Sequence, residues 1–240
     1  PVLLAIAPDG KRVYGASADG KLTVIDTQAR AVVATLSISP FTSGIAVSPD
    51  GGQVYVTNLF GGAVAVLDTA RGALGASLPL ISSLRRGGYG RIAVAPDGSA
   101  LYVANQGNRM MTRVDPRGGR PTAITPDMAP VDLAFAAGGR RLLLAGCKNM
   151  CVPGAIIPLD VGSGDLGSTV FAGSRPYRVL ASADGARVYL ANIGGATVSV
   201  LEGASLAHLA DVAVPSSPTS LALSPDGRRL FVASDDTGVV

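Results

Sequence analysis

A four-residue pattern, a small residue followed by Pro-Asp-Gly, returns along this chain at nearly constant intervals and constrains its fold more than any other feature. Ala7-Pro8-Asp9-Gly10 reappears as Ser48-Pro49-Asp50-Gly51 and as Ala95-Pro96-Asp97-Gly98. It decays to Ala136-Ala137-Gly138-Gly139, recovers as Ser182-Ala183-Asp184-Gly185 and ends as Ser224-Pro225-Asp226-Gly227. Between third positions (9, 50, 97, 138, 184 and 226) the steps are 41, 47, 41, 46 and 42 residues. A period of that length marks a supersecondary unit that buries its apolar surface only by stacking on copies of itself. Asp-Gly between apolar runs supplies the positive backbone angles of a tight hairpin, and Pro presets its entry.

Each anchor is flanked by short apolar runs. Before it, large aliphatics alternate with Ala, as in Leu3-Leu4-Ala5-Ile6, Gly44-Ile45-Ala46-Val47, Arg91-Ile92-Ala93-Val94 and Ser220-Leu221-Ala222-Leu223, whereas Val179-Leu180-Ala181 swaps the order. A sheet sandwiched between two others needs both faces apolar, and bulky-on-small alternation lets neighbours nest. After the anchor comes a second strand with an aromatic at one register in five of six copies: Tyr14, Tyr55, Tyr102, Tyr189 and Phe231. There a half-buried ring is expected to cover the sheet. A third strand ends in an acid (Asp26, Asp68, Asp115, Asp160, Glu202), and a more polar fourth strand follows, as at 31–38 and 207–214. Helical spacing is nowhere convincing. Four strands per unit, hairpin after hairpin, predict an all-β propeller forming a single domain over 1–240. Its repeats run approximately over 1–39, 40–87, 88–128, 129–174, 175–216 and a truncated 217–240. A composition 48% hydrophobic and 15% charged is too apolar for disorder. No uninterrupted apolar run approaches the roughly 18–20 residues of a membrane-spanning helix. The net charge of +3 is spread along the chain and leaves no nucleic-acid footprint.

Tyr55-Val56-Thr57-Asn58, with the variants Tyr102-Val103-Ala104-Asn105 and Tyr189-Leu190-Ala191-Asn192, resembles the YVTN-type β-propeller repeat. The preceding Ser-Pro-Asp-Gly turn and the following Val-x-Val-Leu-Asp strand are similar as well, over essentially the whole chain. The resemblance implies an exported bacterial or archaeal protein, periplasmic or extracellular, and a ring of about seven blades. Lactonase-like and haem-d1-type propellers are relatives of that family. A WD40 assignment fits poorly, since the chain has no Trp. Pro1 shares the register of Pro130, Pro176 and Pro218, and Gly238-Val239-Val240 falls early in a third strand. Five full units and a sixth cut short are therefore expected.

The repeat also accounts for most reactive side chains. Ten of the 17 acidic residues sit at turn or strand-end positions of the repeat, where Asp caps turns through its carboxylate. Asp19, Asp127, Asp132, Asp165, Asp211, Asp235 and Asp236 remain, with no calcium-loop spacing among them. The single histidine, His208, falls on an outer strand, the wrong place for the base of a Ser-His-Asp triad. No catalytic residue, metal site or cofactor is predicted. Cys147 and Cys151 are the only cysteines. In an exported protein they read as a short disulfide across a loop, and soft-metal binding with Met150 is the alternative.

Non-repeat cations and two tyrosines gather on one rim, in the loops between units and after the second strands: Arg85, Arg86, Tyr89, Arg91, Arg109, Lys148, Arg175, Tyr177 and Arg178. Arg91, Asp132 and Arg178 share the first position of their innermost strands, where other units carry Leu3, Gly44 and Ser220. Guanidinium groups near aromatics suit an anionic or carbohydrate-like ligand, and solvated loop arginines are the plainer reading. The expected function is a non-enzymatic cell-envelope binding or scaffold protein. A lactonase-like hydrolase is the alternative, and a haem-d1-type redox propeller, which lacks axial histidines, is a weaker one.

Overall fold

The computed structural model describes residues 2–58, 62–81, 90–148 and 153–234. The chain divides into two compact units, 1–125 and 126–240. All pairing is antiparallel between strands consecutive in sequence, save one split strand.

The first unit holds three sheets. β1 (Val2–Ile6), β2 (Arg12–Ser17), β3 (Lys21–Asp26) and β4 (Ala31–Ser37) form the first in that order. The second comprises β5 (Thr42–Val47), β6 (Gln53–Asn58) and β7 (Ala63–Asp68), whose outer edge is completed by two short strands, β8 (Ala73–Leu74) and β9 (Leu78–Pro79). The third is β10 (Ile92–Val94), β11 (Leu101–Asn105), β12 (Met110–Val114) and β13 (Thr122–Ile124).

The second unit repeats the plan. β14 (Ala129–Ala136), β15 (Arg141–Cys147), β16 (Gly154–Asp160) and β17 (Val170–Phe171) form one sheet. β18 (Pro176–Ala181), β19 (Arg187–Asn192), β20 (Thr197–Glu202) and β21 (His208–Ala213) form the next. β22 (Pro218–Leu223) pairs with β23 (Leu230–Ser234).

Core lies between the faces of consecutive sheets. Tyr14, Leu22 and Val24 meet Val54, Val56 and Leu67, and Tyr55, Val64 and Val66 meet Leu101, Val103 and Val114. In the second unit Leu143 and Ile156 pack with Val188, Leu190 and Leu201. Each such side chain contributes about 1.5–3 kcal/mol on burial. Because the sheets are stacked, the second strands are buried on both faces: Val54, Tyr55, Val56 and Thr57 are all enclosed. Three of the five rings at the shared register are therefore more deeply set than half-burial, whereas Tyr189 is half-buried as expected. Tyr14, Tyr55 and Tyr102 are core residues, and only Phe231 is substantially exposed. The outer strands β4 and β21 are exposed almost throughout.

The Pro-Asp-Gly anchors turn as the sequence requires, with one refinement: only the glycine takes a positive φ, near +70° at Gly10, Gly51, Gly98, Gly185 and Gly227. Each of these glycines donates its N–H to the carbonyl three residues back, and the residue at that carbonyl closes the hairpin, as Ala7 N does onto Arg12 O at 2.8 Å. The decayed fourth copy makes a short 3-10 turn over Ala137–Gly139 instead.

Candidate functional site

The acids of the repeat are structural. Asp9, Asp50, Asp97, Asp184 and Asp226 each accept the backbone N–H two residues on, at 2.9–3.1 Å. Asp26, Asp68, Asp115, Asp160 and Glu202 cap the loop after the third strand in the same manner. These bonds favour the ionised carboxylate. Asp50, Asp184 and Asp226 are held below the usual carboxylate range first by the hydroxyls of Ser48, Ser182 and Ser224. Among the described residues no three His, Cys, Asp or Glu side chains cluster as a metal would require.

Strand pairing places the six inner-strand residues opposite one position of the second strands. Leu3 faces Ala16, Gly44 faces Thr57, Asp132 faces Ala145, Arg178 faces Ala191 and Ser220 faces Ala233. The carbonyl of Arg91 accepts the Ala104 N–H, which sets it at the same level. In four inner strands a bulge precedes this residue, between Thr42 and Gly44, Pro130 and Asp132, Pro176 and Arg178, and Pro218 and Ser220. A bulge adds one residue and re-aims the side chains around it.

In the first unit Arg91 is buried rather than extended into solvent. The residue before it is fixed by two hydroxyls: Ser43 Oγ donates to the Gly90 carbonyl at 3.2 Å, and Thr57 Oγ1 donates to it as well. Those hydroxyls lie 3.1 Å apart and are themselves buried. Gly44 permits the approach, since a β-carbon there would meet the Gly90 oxygen at 2.6 Å. Arg109 is exposed in the turn between β11 and β12, in left-handed backbone at φ +51°.

In the second unit Asp132 and Arg178 come together. Asp132 is 4% exposed. Its Oδ2 accepts the Val179 N–H at 2.9 Å and its Oδ1 accepts Arg178 Nη1 at 3.4 Å. Asp132 thus bridges the inner strands β14 and β18, and Arg178, more open to solvent, is oriented by it. Arg175 is exposed at φ +50°, one residue before β18, and Tyr177 is half-buried at the bulge. Lys148 pairs with Asp127. Cys147 is buried and disulfide-bonded. Arg85, Arg86, Tyr89, Met150, Cys151, Asp235 and Asp236 lie outside the described residues.

His208 stands on the exposed β21, 3.2 Å from Asp211. Asp211 accepts the Ser199 hydroxyl at 2.5 Å, and Asn192 donates to Ser199 Oγ at 2.8 Å. This chain, and the Ser43–Thr57–Gly90 knot, escaped the sequence reading. The signal was present in the tetrapeptide, whose Thr57 and Asn192 are the side chains involved, but only tertiary pairing reveals their partners. Asn58 and Asn105 act likewise, Asn58 donating to the Pro40 carbonyl and Asn105 accepting the Asn108 N–H.

No protein-family model matches the chain, and no curated protein sequence does. Solved structures do match in three dimensions. A functionally unknown protein from Desulfotomaculum acetoxidans aligns with a TM-score of 0.82 at 16% identity, over 98% of this chain and 80% of that one. The β-propeller domain of Cps50 (Swd1) from Myceliophthora thermophila gives 0.79 at 12%, over 97% and 78%. The dihydro-heme d1 dehydrogenase NirN, in complex with DHE, gives 0.73 at 21%, over 96% of this chain and half of that one. Likeness at these identities fixes the fold: the chain is an all-β propeller protein.

Proposed function

We propose that the chain is a non-catalytic binding propeller of the cell envelope, and that Arg178 in the second unit receives an anionic or carbohydrate-like group. The observation that carries this reading is the Asp132–Arg178 pair. Both carboxylate oxygens of Asp132 are engaged inside the protein, so it is not available as a base. Its effect is to orient a guanidinium on the inner-strand register. A planar guanidinium held by one amino group keeps further N–H donors for a carboxylate or a pair of hydroxyls. Exposed Arg175 and half-buried Tyr177 stand within three residues of it in sequence.

A hydrolase finds less support. Ten repeat acids are committed to turns, and the single His lies on an exposed outer strand. The same histidine count argues against the haem-d1-type reading, despite the NirN likeness. The disulfide at Cys147 favours an oxidising compartment, periplasmic or extracellular. Calorimetric titration with D-glucuronate, an anionic sugar, tests the reading. Arg178→Lys, which keeps the charge beside Asp132 but loses the planar fork, is expected to weaken binding by about 10-fold. Equal affinity in the variant, or turnover of a lactone by the wild type, overturns it.

A further inference from the structure

A cavity of about 520 Å³ opens in the first unit at the hairpin-turn end of β1 and β2, far along the strand from the inner-strand register. Its volume falls within the range of small-molecule sites. Val24, Val33 and Leu36 of the first sheet and Leu67 of the second supply apolar walls. Asp9, Arg12 and Asp50 supply polar groups beside Tyr14.

Tyr14 is 4% exposed, and its hydroxyl has no hydrogen-bond partner among the described residues. The sequence explains why. At the equivalent place in the second sheet, Tyr55 donates to the Gln53 side-chain carbonyl two residues earlier. Before Tyr14 that position is Arg12, which carries no acceptor and whose Nη1 donates to Asp26 and to the Lys11 carbonyl. Burial pushes the Tyr14 phenol up, with Arg12 lowering it and Asp9 raising it, so the hydroxyl remains a neutral donor near both charges. Across the cavity, Asp50 Oδ1 accepts the Ser48 hydroxyl and the Gly52 N–H, while Oδ2 accepts nothing among the described residues. The Tyr14 ring is thus enclosed while its residue lines the cavity, which leaves the hydroxyl free to donate to an acceptor that enters.

We propose that this cavity binds a small, largely apolar molecule bearing a hydroxyl, of which a single-ring phenol is the simplest. Its ring lies against Val24, Val33, Leu36 and Leu67. Its oxygen accepts from Tyr14 and its hydroxyl donates to Asp50. The site is independent of the Arg178 reading, which concerns the other unit.

The test is a methyl-detected NMR titration with 4-ethylphenol, with ethylbenzene as the analogue lacking the hydroxyl. The Val24, Val33, Leu36 and Leu67 methyls are expected to shift saturably with 4-ethylphenol. Affinity falls about 5- to 10-fold for ethylbenzene and for Tyr14→Phe. Ala34→Trp, which fills the cavity from the exposed strand β4, abolishes the shifts without touching the core. Absence of saturable shifts in the wild type overturns the proposal, as does unchanged binding in Ala34→Trp or equal affinity of the two probes. If Tyr14→Phe fails to fold, the probe pair and Ala34→Trp decide the matter.

Discussion

Removing the Asp132 carboxylate should loosen the link between β14 and β18 more than any comparable change at an exposed acid. Asp132→Ala deletes a charge-assisted bond to the Val179 N–H at 2.9 Å, and leaves that buried donor without an acceptor. Such a bond contributes about 1.5–3 kcal/mol. It also deletes the 3.4 Å pairing with Arg178, whose side chain is 29% exposed, so that solvent screening reduces its share to about 0.5–1 kcal/mol. Together the expected loss is about 2–4 kcal/mol. Asp132→Asn keeps an acceptor for Val179 and loses mainly the charge, so it should cost about half as much. Native-state hydrogen exchange reads the effect directly. In the alanine variant the Val179 amide should exchange about 30- to 700-fold faster, with its β18 neighbours following. A change below about 3-fold at Val179, or equal effects of the two variants, refutes the bridging role.

Gly44→Ala places a β-carbon 2.6 Å from the Gly90 oxygen and 2.7 Å from Thr57 Oγ1. It should lower the melting temperature by several degrees, corresponding to about 1–3 kcal/mol, and calorimetry would show it. The carboxylates of Asp26, Asp50, Asp97, Asp160, Asp184 and Asp226 are held below their ordinary value of 3.8, chiefly by hydroxyl and backbone donors. A folded pKa below the unfolded one gives stability that is complete well above pH 4 and is lost as pH falls below about 4. Melting temperature should thus be flat near neutrality and drop steeply in acid; a flat profile down to pH 2 would contradict the capping role. Cys147 is expected to be bridged to Cys151, and mass spectrometry of unreduced peptides should find the two joined. The loop is so short that reduction should cost the fold little.

Much of the fold was legible because its repeat is written in turn chemistry. The glycine of each anchor needs left-handed backbone, and Asp beside it needs only a nearby N–H, so local sequence suffices to place both. The shared level of Arg91, Asp132 and Arg178 was legible too, because strand registers follow from hairpin lengths. What local sequence does not carry is which side chains meet between strands. Nothing near Asp132 announces that its carboxylate reaches the backbone of Val179, 47 residues away. Arg91 looked like an arm for ligand and is instead buried beside the Ser43–Thr57–Gly90 knot. The burial of Tyr14 and Tyr55 depends on facing sheets, which alternation within one strand does not specify.

The claim that this propeller binds through Arg178 is tested most directly by following arginine side-chain N–H resonances while D-glucuronate is added. Arg178 should shift saturably, whereas exposed Arg109 in the first unit stays still. Parallel, non-saturating movement of both resonances, or no movement at Arg178, would contradict it.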